Sequence, residues 1–362
     1  MNRTSKIDKR LIRRTWRKMK FSESFRFLSA KKISLNHRKT NCLKDSYKSS
    51  IWKIIIDADK KSFPVILKIS KKLKEARPES TVERNIYRKA VKILQPFMPK
   101  VYFTKKNVSD RDLWVFMEYI EPIKGRVQYN PDHFDKIIPT LANLHAATME
   151  DRFIQQEKLF GRWLPRYDSK EAREERVRLN ELTLFYLDEA MKNKELNSNI
   201  QPYHSLLQAL LKKGAEYFPE VRKAGCCIIH GDLHTANIAC HDVNENEWDI
   251  KFIDWEGAKY APCWFDLVNL IGVFLAYRKE WKDQEEAITH RCVHLYANEM
   301  RKNGVTFNSD PVELYEKAYL KKILEKSLYL QLNWAVTGKK EAKLLSTYLE
   351  KVRVFGKKFE LY

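Results

Sequence analysis

The first third of the chain alternates apolar and polar positions with the two-residue period that is typical of β-strands. Such runs cover residues 31–39, 49–57, 63–70, 98–104 and 113–120. Between the third and the fourth run, residues 80–96 instead repeat apolar side chains at helical spacing. The pattern therefore predicts a small sheet with one helix over residues 31–120.

From residue 131 onward the apolar positions follow the 3.6-residue period of amphipathic helices. Helices are predicted over residues 131–149, 169–193, 203–214, 264–279, 283–302 and 311–331. One island, residues 226–258, breaks this pattern with short strands, turns and many His, Asp and Asn residues. Irregular polar segments on a regular scaffold commonly carry binding and catalytic side chains, so the candidate chemistry lies here.

Two apolar runs in the island, residues 238–240 and 248–252, flank a polar turn and predict a β-hairpin. Asn237 precedes the first strand and Asp254 follows the second, so antiparallel pairing brings both to the open end of the hairpin. An amide oxygen and a carboxylate are ligands that suit Mg²⁺ bridging to phosphates. Asp232, just upstream, can orient a hydroxyl and accept its proton, although the same residue types also form ordinary turns.

These residues belong to two sequence motifs that resemble those of a known family. HGDLHTAN (230–237) resembles the H-G-D-x-x-x-x-N catalytic loop of the aminoglycoside phosphotransferase and choline kinase families, which share the protein-kinase-like fold. FIDWEGA (252–258) resembles their metal-binding I-D-[FYW]-E segment. Further matches are VILKIS (65–70) to the strand with the phosphate-binding lysine, LANLHAAT (141–148) to the helix before the acceptor region, and WFDLVNL (264–270) to the helix whose Asp braces the loop.

The resemblance implies an α+β, two-lobed protein-kinase-like fold, with a small N-terminal antiparallel sheet and helix and a larger, mostly helical C-terminal lobe. The expected boundaries are a basic arm over residues 1–30, a nucleotide-binding lobe over 31–121 and a catalytic lobe over 122–362. The implied activity is that of a Mg²⁺-dependent kinase. It would move the γ-phosphate of ATP to a hydroxyl of a small molecule such as an aminoglycoside, an amino alcohol or a sugar-like acceptor.

The resemblance also assigns roles to single residues of the island. Asp232 would be the catalytic residue, and Asn237 and Asp254 would bind Mg²⁺. Asp266 would brace the catalytic loop, whereas His230 more plausibly fixes the loop backbone than acts as a base.

The lysine of VILKIS, Lys68, would bind nucleotide phosphates and pair with a helix glutamate, for which Glu83 is the best-placed candidate. Ser80 and Glu83 also have the spacing of a capping box, in which Glu83 would fold back onto the start of its helix. Glu75 and Glu79 are further candidates for the pair. The choice between ion pair and cap stays open at the level of sequence.

The expected phosphate-covering loop, residues 41–50, contains no glycine, and the first glycine of the chain is Gly125. Small hydroxyls could bind phosphate instead, so Ser49 and Ser50 join the nucleotide-binding candidates. Glu118 and Tyr119, at the end of the last strand, complete that set. The missing glycines leave GTP open as an alternative to ATP.

The charge of the chain is concentrated near its start. The chain has 68 Lys+Arg against 47 Asp+Glu, a net charge of +21, and residues 1–44 hold 15 of these basic residues. Ile7, Leu11, Ile12 and Trp16 recur at helical steps within the same segment. The pattern predicts a basic amphipathic helix that either contacts an anionic surface, membrane or nucleic acid, or packs on the body by its apolar stripe.

Composition excludes several classes of protein. Hydrophobic residues make up 44%, too many for a disordered chain, and no apolar stretch is long enough to span a bilayer. Six cysteines without a C-x-x-C pair give neither a disulfide framework nor a zinc ribbon. The start of the chain lacks the apolar core of a signal peptide, so a cytoplasmic protein is expected.

Two other functional classes stay open. A non-catalytic kinase-like coat or scaffold protein would share the fold, and a basic nucleic-acid-binding protein would share the charge. The acceptor is also open: the acidic segment 168–189 could recruit a cationic molecule or could be an ordinary solvated helix.

Overall fold

A computed structural model describes residues 3–19, 21–46, 49–71, 78–106 and 112–361. Its strands are β1 (Ile33–Asp45), β2 (Ser49–Ala58), β3 (Lys61–Ser70), β4 (Val101–Lys106), β5 (Leu113–Glu118), β6 (Cys226–Ile229), β7 (Ile238–Cys240), β8 (Ile250–Phe252) and β9 (Lys259–Pro262). Its helices are α1 (Arg3–Met19), α2 (Phe21–Ser24), α3 (Pro78–Asn85), α4 (Val91–Leu94), α5 (Phe134–Ala147), α6 (Glu150–Ile154), α7 (Glu157–Phe160), α8 (Lys170–Lys192), α9 (Lys194–Lys212), α10 (Pro219–Lys223), α11 (Trp264–Leu267), α12 (Val273–Tyr277), α13 (Glu285–Lys302), α14 (Pro311–Lys322), α15 (Leu328–Thr337) and α16 (Leu345–Lys358).

Five strands form one antiparallel sheet in the order β1-β2-β3-β5-β4. The β-branched run of β2 alternates between buried and half-exposed positions, which matches the two-residue period of the sequence. Helix α3 continues through a π-helical turn, Ile86–Ala90, into α4, so the helix predicted over residues 80–96 is present. The strand–helix order expected for the first third of the chain is confirmed.

The end of the first strand differs from the sequence expectation. Residues 41–45, predicted to lie in a loop, are the end of β1 and pair with β2. Two register shifts, between Asn36 and Asn41 and between Cys42 and Lys44, let this polar stretch follow its neighbour. An edge strand has one unpaired side and tolerates such polar residues. The end of β1 and the start of β2 are joined by hydrogen bonds from the amide and the hydroxyl of Ser46 to the Ser49 carbonyl, both 2.9 Å.

Helix α1 packs on this sheet by its apolar stripe. Ile12 is 2% exposed and lies in one core cluster with Trp52 and Leu35, against which Leu11 and Trp16 also pack. Five basic side chains of the helix are exposed: Arg10, Arg13, Arg14, Arg17 and Lys18. Of the two alternatives for the arm, the structure supports packing. Contact with an anionic surface stays a prediction.

The remainder is mostly helical, as the period of the sequence predicts. One difference is α9, which begins at Lys194 rather than near residue 203 because Asn193 caps it, accepting bonds from the amides of Glu195 and Leu196. Two further π-helical turns, Val268–Gly272 and Ile323–Ser327, interrupt the C-terminal helices. None of the helices in the described ranges is both long enough and apolar enough to cross a membrane.

The chain divides into two compact units. The first comprises Met1–Gln128, Leu159–Trp163 and Ala236–Gly257, and the second comprises Tyr129–Lys158, Leu164–Thr235 and Ala258–Tyr362. The hairpin of β7 and β8 thus belongs with the sheet. It is attached there by hydrogen bonds from the amide of Ile123 to the Ile238 carbonyl, 2.9 Å, and from the amide of Cys240 to the Glu121 carbonyl, 3.3 Å.

Candidate functional site

A buried ion pair joins the sheet of the first unit to its helix. Lys68 lies on β3, and its neighbours along the strand, Leu67 and Ile69, face the core on the opposite side. The Lys68 ammonium donates to the carboxylate of Glu83 on α3, and each residue is only 6% exposed. Tyr87, one turn further along, is also buried, and the charge of that carboxylate adds to burial in raising the pKa of the Tyr87 hydroxyl. Of the two alternatives for Glu83 the structure supports the ion pair, because α3 begins at Pro78 and Ser80 therefore lies within the helix rather than at its N-cap. Glu75 lies outside the described residues.

Asp254 is the second acidic partner of the lysine. Its Oδ1 lies 3.1 Å from Lys68 Nζ, and its side chain is 35% exposed. Burial by itself lowers the pKa of a lysine, but the charges of Glu83 and Asp254 outweigh it and raise the pKa of Lys68 above its ordinary value. The ammonium is therefore held in its charged form, with one carboxylate buried behind it and the other partly open.

The backbone at Asp254 is left-handed, with φ of 66°. This conformation is uncommon outside glycine and persists only where the surroundings impose it. The next residue, Trp255, is fully buried and donates its indole N–H to the Phe252 carbonyl, which anchors the turn after β8. The turn thereby fixes the direction of the Asp254 carboxylate.

Asn237 and Asp254 lie at the same end of the β7–β8 hairpin, as the sequence predicts. Ile238 pairs with Phe252, and the amide of Ile253 donates to the Asn237 carbonyl at 2.9 Å. The described residues contain no group of three or more His, Cys, Asp or Glu side chains able to hold a metal alone. An amide oxygen beside one carboxylate nevertheless fits Mg²⁺, which binds through one or two protein carboxylates together with substrate phosphates and waters.

Asp232 lies in the second unit, on the loop that follows β6. The amides of His230 and Gly231 donate to the two oxygens of Asp266, at 2.6 and 2.8 Å. Asp266 is fully buried and also contacts His145 at 3.3 Å. Burial by itself would raise the pKa of the Asp266 carboxyl, but the bond and charge of His145 lead the effects that lower it. The expected brace of the loop is present.

The Asp232 carboxylate itself is accessible, with its side chain 61% exposed. His234 Nε2 lies 3.7 Å from Asp232 Oδ2, a contact that the sequence did not indicate. Behind the loop, Asn269 donates to the Gly231 carbonyl at 3.1 Å and accepts a hydrogen bond from Lys322. Asn269 follows Asp266 by three residues and therefore lies on the same face of the helix. From that spacing, a contact between Asn269 and the loop could have been predicted.

The two serines at the start of β2, Ser49 and Ser50, occupy different environments. The Ser50 hydroxyl is fully buried and accepts the indole N–H of Trp52 at 3.1 Å. Ser49 is half-buried, and its amide and carbonyl close the turn with Ser46. Of the two hydroxyls assigned to phosphate binding, that of Ser50 faces the interior of the fold.

Glu118 and Tyr119 follow one another where β5 ends. The Glu118 carboxylate lies 3.2 Å from the Lys100 amide and 3.2 Å from His241 Nε2. The Tyr119 hydroxyl donates to Glu121, and the Lys53 ammonium lies 3.8 Å from the centre of its ring. Both side chains are thus engaged with neighbouring residues.

Known structures share this fold. A GDP complex of an aminoglycoside 2′-phosphotransferase-IIIa variant matches with a TM-score of 0.52 at 12% identity, covering 94% of this chain and 98% of the other. The ethanolamine kinase of Plasmodium vivax matches with a TM-score of 0.50 at 12% identity, covering 87% of this chain and 80% of the other. At this identity the likeness concerns the fold, and it confirms the expected two-lobed α+β kinase-like architecture.

Comparison at the level of sequence gives the family. No curated protein matches the chain. The family model described as "Phosphotransferase enzyme family" (APH) matches residues 49–292, two thirds of the chain, from the second strand of the sheet to within α13. The family resemblance carried by HGDLHTAN and FIDWEGA is therefore confirmed, and this chain belongs to the phosphotransferase enzyme family.

Proposed function

We propose that this protein is a kinase that transfers the γ-phosphate of ATP to a hydroxyl of a small molecule, with Mg²⁺ as cofactor. The observation that carries the proposal is the buried Lys68–Glu83 pair with Asp254 at its open side. A charged lysine costs free energy to bury, and a stable fold would more readily place an apolar residue there. A lysine held charged beside a partly open carboxylate is what binding of phosphates requires.

Lys68 would contact phosphate oxygens of the nucleotide, and Glu83 would keep its ammonium in place. Mg²⁺ would be held by Asn237 and Asp254 and, when bound, would neutralise phosphate charge during transfer. Asp254 also contacts Lys68, so a single carboxylate would position both the Mg²⁺ ion and the lysine ammonium. The left-handed turn fixes the direction of that carboxylate.

Asp232 would act on the acceptor. Its exposed carboxylate would accept the proton of the acceptor hydroxyl as the oxygen of that hydroxyl attacks the γ-phosphorus, and ADP would leave. The braced loop supports this role, because two backbone amides held by Asp266 limit the movement of Asp232.

The remaining nucleotide contacts are less specific. Ser49 is a candidate for the phosphates, whereas the buried Ser50 hydroxyl would need to rearrange. At Glu118 and Tyr119 the side chains are already engaged, so any contact with the base would come from the backbone. GTP stays an alternative donor.

A non-catalytic kinase-like scaffold is the second candidate, and the charge pattern argues against it. A scaffold has no need for Lys68, Glu83 and Asp254 together, because the buried charges of an unused site cost stability.

The test compares two substitutions that separate the proposed roles. Asp232→Asn keeps the shape and removes the charge, so ATP binding should be nearly unchanged while phosphoryl transfer falls by about 10²–10⁴-fold. Lys68→Ala should lower both ATP affinity and turnover, because the lysine touches phosphate before and during transfer. ATP affinity is measured calorimetrically, and turnover is measured as ADP release with a panel of alcohols. Loss of ATP binding in Asp232→Asn together with normal binding in Lys68→Ala would refute the assignment.

A further inference from the structure

Three lysines of the second unit surround the loop that carries Asp232, and we name Lys259, Lys322 and Lys326 the lysine cluster. Lys259 on β9 pairs in register with Ile229, the residue before the loop. Lys322 ends α14 and reaches the loop through Asn269. Lys326 lies four residues later in the π-helical turn Ile323–Ser327, so it faces the same side of the helix as Lys322.

Nearby carboxylates compensate the charge of the lysine cluster only in part. Among the residues that the structure describes, no salt bridge joins Lys259, Lys322 or Lys326 to a carboxylate, and Lys322 donates to the neutral amide of Asn269. Glu325, on the same turn, is already bonded to Lys321 and to the Tyr167 hydroxyl, both at 2.7 Å.

The electrostatics agree with this geometry. Burial lowers the pKa of Lys322 to about 7, and the charges of Lys259 and Lys326 act in the same direction. Burial likewise lowers the pKa of Lys259 to about 8, and Lys326 adds to the effect. The negative charges of Asp266 and Asp232 oppose the lowering of the Lys322 pKa, and those of Glu325 and Asp266 oppose the lowering of the Lys259 pKa. In both cases the pKa stays below that of an ordinary lysine. A negatively charged ligand would relieve the repulsion and restore the protons.

The acidic segment 168–189 offers no equivalent site for a cationic acceptor. Five of its seven carboxylates are paired with nearby basic side chains: Asp168 with Arg166, Glu174 with Lys170, Glu175 with Arg178, Asp188 with His204 and Glu189 with Lys192. These are mostly exposed pairs one helical turn apart, as in an ordinary solvated helix. The uncompensated charge beside Asp232 is therefore positive.

We propose that the lysine cluster binds an anionic group, phosphate or carboxylate, of the alcohol that this enzyme phosphorylates. The proposal rests on the proposed function, because it treats Asp232 as the residue that meets the acceptor hydroxyl. It narrows the acceptor to alcohols that carry negative charge, such as sugar phosphates, glycerol phosphates or hydroxy acids. Aminoglycosides and amino alcohols would be disfavoured, since they bring a like charge to the cluster.

The first experiment measures anion binding without nucleotide, Mg²⁺ or turnover. Sulfate is titrated into the full chain at pH 6.5 and constant ionic strength, and the NMR signals of the lysine ε-methylene groups are followed. Lys259→Gln and Lys326→Gln should each weaken sulfate binding about tenfold or more, since a hydrogen bond between charged groups is lost. Lys326 is exposed, so its substitution leaves the fold intact. Lys339→Gln, an equal change at another exposed lysine, is the control and should have no effect.

The second experiment measures the acceptor preference with matched alcohols. The wild-type chain should phosphorylate glycerol 3-phosphate or glycerate with kcat/KM at least tenfold above glycerol and ethanolamine. Lys259→Gln and Lys326→Gln should remove that preference while leaving ATP affinity unchanged. A fall in ATP affinity would show that the cluster serves the nucleotide phosphates and would overturn the proposal.

The two experiments separate this inference from the proposed function. Sulfate binding that is equal in the wild type, Lys259→Gln and Lys326→Gln would overturn the lysine cluster as an anion site, whatever the enzyme phosphorylates. A preference for ethanolamine would overturn its role in acceptor choice. Absence of phosphoryl transfer to every alcohol, with lysine-dependent sulfate binding intact, would refute the kinase instead and leave the anion site standing.

Discussion

Replacing Lys68 by methionine tests how strongly the first unit depends on its buried ion pair. Methionine has a similar length and no charge, so Lys68→Met leaves the carboxylate of Glu83 buried and Asp254 without its cation. Removing one partner of a buried pair typically costs about 3–5 kcal/mol, because the remaining charge is neither solvated nor neutralised. We expect a loss of that size in the free energy of unfolding at pH 8.

The loss should depend on pH in a direction that identifies its cause. Burial already raises the pKa of the Glu83 carboxyl in the folded chain, and Lys68 is the group that opposes this shift most. Without the lysine, the pKa of Glu83 in the folded state rises further above its unfolded value of about 4.3. A group with a raised folded-state pKa binds more protons when folded, so stability falls as the pH rises above about 4.3. Lys68→Met should therefore be close to wild type at pH 4.5 and destabilised at pH 8.

The measurement is differential scanning calorimetry of the wild type, Lys68→Met, Glu83→Gln and the double variant. A loss of about 3–5 kcal/mol corresponds to about 6–20 °C in Tm for a unit of some 150 residues. The double variant should recover most of the stability, since both charges are absent. Lys71→Met is the matched control: it breaks a partly exposed pair with Asp45 and should cost less than about 1 kcal/mol. A single variant as stable as the control at pH 8 would refute the reasoning.

A substitution, a deletion and a pH titration give three further tests. Asp254→Ala should abolish the part of the ATP-induced rise in Tm that requires Mg²⁺, and an unchanged rise would exclude it as a ligand. Deleting residues 1–30 should lower Tm, because Ile12 and Trp16 leave the core, and an unchanged Tm would contradict their packing. Sulfate binding should weaken from pH 7 to 9 as Lys322 and Lys259 lose protons, and NMR titration at both pH values would detect a constant affinity.

The sequence predicted best where the chemistry is local. Asn237 and Asp254 frame a hairpin whose strands are visible from apolar runs, and the register in the structure follows directly. The strand lysine and the helix glutamate were predictable as candidates. Their pairing was the favoured alternative, but the sequence left the capping box open, because the helix start decides between the two and Pro78 begins α3 earlier than the apolar pattern indicates.

The sequence was weakest where contacts with another element decide the local structure. The polar letters of residues 41–45 suggest a loop, yet pairing with β2 makes them a strand. The apolar stripe of α1 gave packing on the body as one of two alternatives, and the contact of Ile12 with the sheet core decides between them. The lysine cluster joins β9 to the π-helical turn after α14, and no periodic pattern connects residues so far apart.

Because the first unit is built from separate segments of the chain, its folding cannot be completed until long after its first segment has been synthesised. The first unit ends its first segment at Gln128, but the hairpin with Asn237 and Asp254 belongs to it and is completed only at Gly257. At a translation rate of about 5–20 residues per second, the nascent sheet waits roughly 6–26 s for that hairpin. During this interval Lys68 has Glu83 but not Asp254, and the backbone of residues 121–123 lacks the strand that later bonds to it. We therefore expect the unpaired backbone and the incomplete first unit to stay accessible to chaperones and proteases until residues up to Gly257 have left the ribosome.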